Sequence, residues 1–305
     1  MKNFDYKVNR TENCIMVKTS EWIENTSNLI QKYRLSGRQL PTYFTKVIDE
    51  NIIDEKFKEA KSALKEDVIV LLTRIVSNVA YYRSYSINNE KYYDIPVMQI
   101  IGTFKDNTIS YDNLQLFYDK IIIEKIEVNH SLLLPVQDNT MIGKIVKVGN
   151  CRFNKKWERL PLSVKEGNIV LIKDNATTEV TFNSKKYYIT EENSVVGIWD
   201  KVEKLSLENL KLINESVILK ENFEDISVKS SILITPEVSY DDLDVSDRYN
   251  KNIFKVIKAD LNLTQLKKND TIFINRDITN YVYFDNKKYF VINGINDIEG
   301  KIIND

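Results

Sequence analysis

Histidine is nearly absent from this chain. Its 305 residues hold one, His130, with two cysteines (Cys14 and Cys151), five prolines and eight glycines. A Ser-His-Asp or Cys-His arrangement would have to use His130, and neither cysteine lies near it in sequence. One histidine and two separated cysteines also fall short of the ligand spacing of a zinc site, so no metal is expected. Eight glycines leave little for a phosphate-cradling loop. No catalytic residue, no cofactor and no enzymatic activity are therefore expected. Two cysteines do not make a disulfide framework; they suit small buried thiols in a reducing compartment.

An excess of either charge is missing too. The 43 Lys and Arg stand against 44 Asp and Glu, with an isoelectric point near 6.1. No net field steers such a chain to nucleic acid or to an anionic membrane. The start, Met1-Lys2-Asn3-Phe4-Asp5-Tyr6-Lys7, has no apolar signal core, and no run approaches the ~18 apolar residues that a membrane helix needs. A soluble, cytoplasmic protein without a membrane or nucleic-acid partner is expected.

What the chain does have is a sentence said three times. Leu64-Lys65-Glu66-Asp67-Val68-Ile69-Val70-Leu71-Leu72 aligns without a gap to Val164-Lys165-Glu166-Gly167-Asn168-Ile169-Val170-Leu171-Ile172, and to Leu266-Lys267-Lys268-Asn269-Asp270-Thr271-Ile272-Phe273-Ile274. A second block follows each: Ile87 to Tyr93, Phe182 to Tyr188, and Phe284 to Phe290. The pitch is too long for a solenoid unit of ~20–50 residues, so each copy is expected to be a domain. Boundaries near Asn107 and Lys204 give units 1–108, 109–203 and 204–305.

Strand signals dominate: short β-branched or aromatic runs broken by Asn, Gly, Asp and Ser. Opening strands are expected at Cys14–Lys18, Lys120–Glu124 and Ser216–Lys220. Middle strands are expected at Tyr43–Ile48, Gly143–Val148 and Ile253–Lys258, and closing strands at Val97–Phe104, Val195–Trp199 and Ile298–Ile302. Asn88-Asn89, Asn183-Ser184 and Asp285-Asn286 sit where tight hairpins want residues that tolerate positive φ. The aromatic pairs Tyr92-Tyr93, Tyr187-Tyr188 and Tyr289-Phe290 should each turn one ring inward. One stretch, Ile52 to Ala63, reads as helix, from its helix formers and i,i+4 charge pairs. Free strand edges invite pairing, so each closing strand is expected beside the next opening strand.

Read whole, the second unit resembles the co-chaperonin (GroES-like) family. Tyr118-Asp119-Lys120-Ile121-Ile122-Ile123 looks like that family's first strand, and Gly143-Lys144-Ile145-Val146-Lys147-Val148-Gly149 like its Gly-x-Val-x-x-Val-Gly segment. Val164-Lys165-Glu166-Gly167-Asn168-Ile169-Val170 is similar to its Val-Lys-x-Gly-Asp-x-Val, and Lys186 to Ile198 to its closing strands. Between the first two, Ser131-Leu132-Leu133-Leu134-Pro135 stands where co-chaperonins carry a mobile loop. The third unit keeps the pattern, with Ile232-Leu233-Ile234 at the loop position, but has Asn252 and Ala259 for the glycines. The first unit is the most divergent.

The resemblance implies an all-β chain of three tandem GroES-like partly open β-barrels, with a short helical insertion in the first. It also implies a function: docking on a chaperonin (GroEL-like) ring through mobile loops to assist protein folding, as part of a homo-oligomer. Leu132, Leu133, Leu134, Pro135, Ile232, Leu233 and Ile234 would be the partner-binding residues. Apolar residues flanked by polar ones suit a segment that orders only on a partner; they also suit an ordinary strand packed on its own barrel. The family's rings are sevenfold, which three repeats do not divide. The alternative is therefore a structural ring or a component of a phage particle, with six or twelve barrels from whole chains.

Overall fold

Three sets of short β-branched runs become three sets of antiparallel strands in the computed structural model. It describes residues 12–18, 23–24, 42–50, 53–65, 67–73, 84–126, 141–173, 177–202, 205–221, 253–274, 278, 280–284 and 287–302. The first set is β1 (Cys14–Lys18), β2 (Ile23–Glu24), β3 (Thr42–Glu50), β4 (Ile69–Thr73), β5 (Ser84–Ile87), β6 (Glu90–Pro96), β7 (Ile100–Phe104) and β8 (Leu114–Leu116). Between β3 and β4 a 3-10 turn, Glu55–Phe57, runs into the helix α1 (Lys58–Ala63). The second set is β9 (Lys120–Lys125), β10 (Met141–Val148), β11 (Arg152–Phe153), β12 (Arg159–Leu160), β13 (Ile169–Ile172), β14 (Thr178–Phe182), β15 (Lys185–Glu191), β16 (Val195–Trp199) and β17 (Lys211–Leu212). The third is β18 (Ser216–Glu221), β19 (Ile253–Ala259), β20 (Thr271–Phe273), β21 (Tyr281–Phe284), β22 (Lys287–Asn293) and β23 (Gly300–Ile302).

The chain divides into two compact units, 1–127 with 142–168 and 175–194, and 128–141 with 169–174 and 195–305. Within the first, strands follow the order β5-β6-β1-β3-β4-β7-β8, with β2 on β3, and separately β14-β15-β9-β10. Its two main cores lie on these ladders. One gathers Ile15, Val47, Phe57, Leu72, Ile95 and Tyr118; the other gathers Leu71, Phe104, Leu116, Ile122, Val180 and Tyr187. Within the second unit the orders are β13-β16-β17 and β21-β22-β18-β19-β20-β23, with Val217, Leu219, Phe254, Val256 and Ile272 in the core.

The repeated sequence blocks have a physical cause. At the first, Asp67, Gly167 and Asn269 take φ of 66°, 87° and 74°, a left-handed turn that Gly, Asn and Asp tolerate. Each then makes the same clamp on the middle strand. Asp67 N–H donates to Val47 O, Gly167 N–H to Ile145 O and Asn269 N–H to Val256 O, all at 2.8 Å, and each strand residue donates back one position further on. The second block is a hairpin: Asn88, Asn89, Asn183 and Ser184 all have positive φ, while 285–286 lie outside the described residues. At the base, Val97, Glu192 and Gly294 donate N–H to the carbonyls of Asn13, Asp119 and Glu215 at 2.8–2.9 Å. A bulge falls in each opening-to-middle ladder, at Met16/Val17, Ile145/Lys147 and Ile218/Leu219.

Several expectations need correction. Val97–Gln99 is a 3-10 turn, so the closing strand starts at Ile100, and the last starts at Gly300 rather than Ile298. Tyr92 and Tyr93 are both buried, because β6 has apolar partners on each face: Met16 and Ile87 on one, the main core on the other. The closing strand β7 pairs not with the opening strand β9 but with β8, just upstream of it, and β16 likewise pairs with β17 rather than β18.

Candidate partner-binding site

The residues singled out from sequence, Leu132, Leu133, Leu134, Pro135, Ile232, Leu233 and Ile234, lie in 127–140 and 222–252, outside the described residues. What is described is the root of each segment. Segment 127–140 leaves β9 and returns through β10, with Lys125 opposite Gly143 and Glu124 opposite Lys144. Just beyond, Ile126 N–H donates to Ile142 O at 2.8 Å, closing the neck. Segment 222–252 is rooted in the same way, with Glu221 opposite Phe254 and Lys220 opposite Lys255.

Both roots are firmly held. Ile121, Ile122 and Ile123 of β9 and Val217, Ile218 and Leu219 of β18 are fully buried. Three consecutive buried residues mean that both faces of the strand are covered. Gly143 lets the two neck strands come close, since a Cβ there would lie 2.8 Å from Glu124 O. Beside the neck, Lys185 Nζ reaches Glu124 Oε1 at 2.6 Å, and that hydrogen bond raises the lysine pKa above its ordinary value. The architecture thus places the two ends of segment 127–140 side by side on a paired, buried two-stranded stem.

A second cluster was not foreseen. The insertion after β3 packs on the β11–β12 hairpin. Phe57 meets Tyr118, Phe153 and Trp157 edge-on, with ring centroids 5.8, 5.6 and 6.0 Å away. Arg159 grips Glu59 with both guanidinium nitrogens, one at 2.7 Å, and donates to Lys56 O at 3.1 Å. Burial pushes the Glu59 carboxyl up, but the Arg159 hydrogen bonds, its own backbone N–H and the charges of Arg159 and Lys58 together hold it below the usual value. Desolvation also pushes the Cys151 thiol up, which makes it a poor nucleophile. Among the described residues no group of three or more His, Cys, Asp or Glu could hold a metal ion, and no helix is long and apolar enough to cross a membrane.

Sequence reasoning also missed the connectors. β8 and β17 belong to a repeated phrase, Asn113-Leu114-Gln115-Leu116 and Asn209-Leu210-Lys211-Leu212, that was legible but unread. Its leucines are buried, at 0–5% exposure. Lys147 Nζ donates to the carbonyls of Tyr111 and Leu114 at 2.7 and 2.8 Å, and Lys258 Nζ to those of Leu207 and Glu208 at 3.0 and 2.6 Å. A lysine of the following middle strand thus pins each connector. Tyr111, stacked on Tyr187 at 4.7 Å, has its phenol pushed up to about 12 by burial and then by nearby phenol and carboxylate groups.

Comparison with known proteins meets the geometry in the second set of strands. The family model described as "Chaperonin 10 Kd subunit" matches residues 113–199. The co-chaperonin GroES of Ehrlichia canis (strain Jake) is 32% identical over 90 residues, 28% of this chain and 96% of that protein. The co-chaperonin GroES of Aquifex aeolicus (strain VF5) is 33% identical over 92 residues, 28% of this chain and 75% of its own length. The matched range starts in the connector β8, crosses the stem of segment 127–140 and ends on β16. Through residues 113–199 this chain belongs to the chaperonin 10 kDa subunit, or GroES, family.

Proposed function

We propose that the chain is a co-chaperonin-like protein that docks on a chaperonin ring and assists protein folding there, without catalysing a reaction itself. The contact is made by Leu132, Leu133, Leu134 and Pro135, and by Ile232, Leu233 and Ile234 in a second loop. Of three GroES-like repeats, at 1–108, 109–203 and 204–305, the second and third carry these loops on equivalent stems. The observation that supports this most is family membership over 113–199 combined with the neck at Ile126 and Ile142, from which segment 127–140 departs. The recurrence of that stem at β18–β19 supports a second loop in the same chain. Two loops on one chain raise the effective concentration of the second once the first is bound, so modest contacts add to useful avidity.

Limited proteolysis tests this with the intact chain. Cleavage near Leu132 and near Ile232 in the free protein is expected. Adding a bacterial chaperonin with nucleotide is expected to suppress it, and the two proteins should comigrate only under that condition. Resistance at both sites in the free protein, with no comigration, would overturn docking and favour a structural ring component.

A further inference from the structure

The insertion after β3 and the β11–β12 hairpin together hold one large aromatic ring out toward solvent. Trp157, at the hairpin tip, is 51% exposed. Its N–H donates to Asn154 O at 2.9 Å, and Asn154 Oδ1 accepts from the N–H groups of Lys156 and Glu158, each at 2.9 Å. This turn gives Trp157 a φ of 62°, a left-handed position that suits Gly or Asn and strains a bulky residue. The ring is nevertheless fixed in place. Phe57 and Phe153 brace it with centroids 6.0 and 5.8 Å away, and Lys56 Nζ lies over it, 5.1 Å from its centroid. The charges around it are unequal. Each neighbouring carboxylate is engaged: Asp54 by Lys56 at 3.1 Å, Glu55 by Lys61, Glu59 by Arg159, and Glu158 by Asn154 Nδ2 at 2.6 Å. Lys155 and Lys156, exposed on the same turn, form no ion pair among the described residues.

We propose that this hairpin tip is a docking site for an acidic polypeptide segment, whose carboxylates meet Lys155 and Lys156 while an apolar side chain packs on Trp157. A braced, half-exposed indole supplies the anchor that binding hot spots favour. The two ammonium groups without a carboxylate set the sign of the partner. A backbone held in a strained conformation by its surroundings points the same way, since such strain gathers at binding sites. Single-stranded nucleic acid fits less well. It wants successive rings along a basic groove, whereas the tip offers one exposed ring with Lys56 over one of its faces. The chain as a whole carries a net charge of −1, which gives no general attraction for an acidic peptide. Attraction for one is therefore local to this tip.

Two variants of the intact chain separate the ring from the charges. Trp157→Gly removes the indole but gives the turn the residue it prefers, which offsets the lost ring contacts. Lys155→Glu/Lys156→Glu reverses the charges at two exposed positions and leaves the ring alone. The probe is a fluorescein-labelled synthetic peptide of glutamates around one central phenylalanine, followed by fluorescence anisotropy. Wild type should bind it with a dissociation constant below about 100 µM, and added salt should weaken the binding. Trp157→Gly should bind at least about tenfold more weakly, and the double lysine variant should not bind measurably. Both variants should keep the wild-type thermal transition; if Trp157→Gly does not fold, the double lysine variant decides. Absence of wild-type binding, or binding undiminished in either folded variant, would overturn the proposal. So would equal binding of the same peptide with lysines for glutamates, or tighter binding of an oligothymidylate, which would make the tip a nucleic-acid site. No chaperonin enters the experiment, so its outcome is independent of docking through the loops.

Discussion

Lys120 shows how a single side chain serves two strands at once. Its ammonium is 7% exposed and lies 3.0 Å from Asp119 Oδ1 and 2.8 Å from Glu191 Oε1. Burial alone would lower its pKa, but the two carboxylates outweigh burial and hold it above the usual lysine value of 10.5. A raised folded-state pKa contributes stability that is fully present below the unfolded value and is lost as pH rises through the folded one. Lys120→Met should therefore lower stability by about 1–3 kcal/mol at neutral pH, because two carboxylates lose their cation. Chemical denaturation should show the gap to wild type closing only in strongly alkaline solution.

Glu59 has the opposite sign. Its folded-state pKa is depressed, so its contribution stands above the ordinary value of 4.5 and is lost as pH falls through the folded one. Arg159→Ala should cost about 1–2 kcal/mol at pH 7, from a bidentate pair that is partly open to solvent. The cost should fade in acid, with stability followed by urea titration at pH 7 and pH 3. Neither partner was legible as a pair: Glu59 and Arg159 are a hundred residues apart in sequence. Only the docking of the insertion on the β11–β12 hairpin brings them together.

At the scale of elements, the connectors carry the chain from one set of strands to the next by sealing an edge. Leu114 and Leu116 pack with Leu71, Ile101 and Phe104, and the glycine beneath them makes room. Gly102→Ala should destabilise the fold by roughly 1–3 kcal/mol, because a backbone carbonyl must move. Gly300→Ala should stay within about 0.5 kcal/mol, because its Cβ enters open space. Equal effects at both positions, measured by thermal unfolding of the two variants, would refute this account of the edge. Opening, middle and hairpin strands were readable because their period of two and their Asn-rich turns are local properties. β8, β17, β11 and β12 were not, because strands of two or three residues have no period to read. What makes them strands is the partner across the ladder.

For the molecule as a whole, the proposed docking stands or falls with Leu132 to Pro135 and Ile232 to Ile234. Burying a Leu side chain stabilises by roughly 1.5–3 kcal/mol, and every ~1.4 kcal/mol is tenfold in affinity. Replacing Leu133 and Leu134 together by Ser should weaken chaperonin docking by at least about a hundredfold. The thermal transition should hardly move. If the double change collapses that transition instead, those leucines belong to a packed strand and the docking loop is lost. The matching change at Leu233 and Ile234 should weaken docking less.

The sequence by itself determined the triple recurrence. Asp67, Gly167 and Asn269 must take positive φ, and the clamp each makes on the middle strand is local enough to be written into nine consecutive residues. It also determined the family likeness of residues 113–199, since five motifs in order are a one-dimensional property. Tertiary structure alone decided which edges are sealed. Gly102, Gly197 and Gly300 look alike in the sequence, yet two of them lie under a connector and the third lies open. A glycine records that something can approach closely; what approaches is set by the strand that the fold brings alongside.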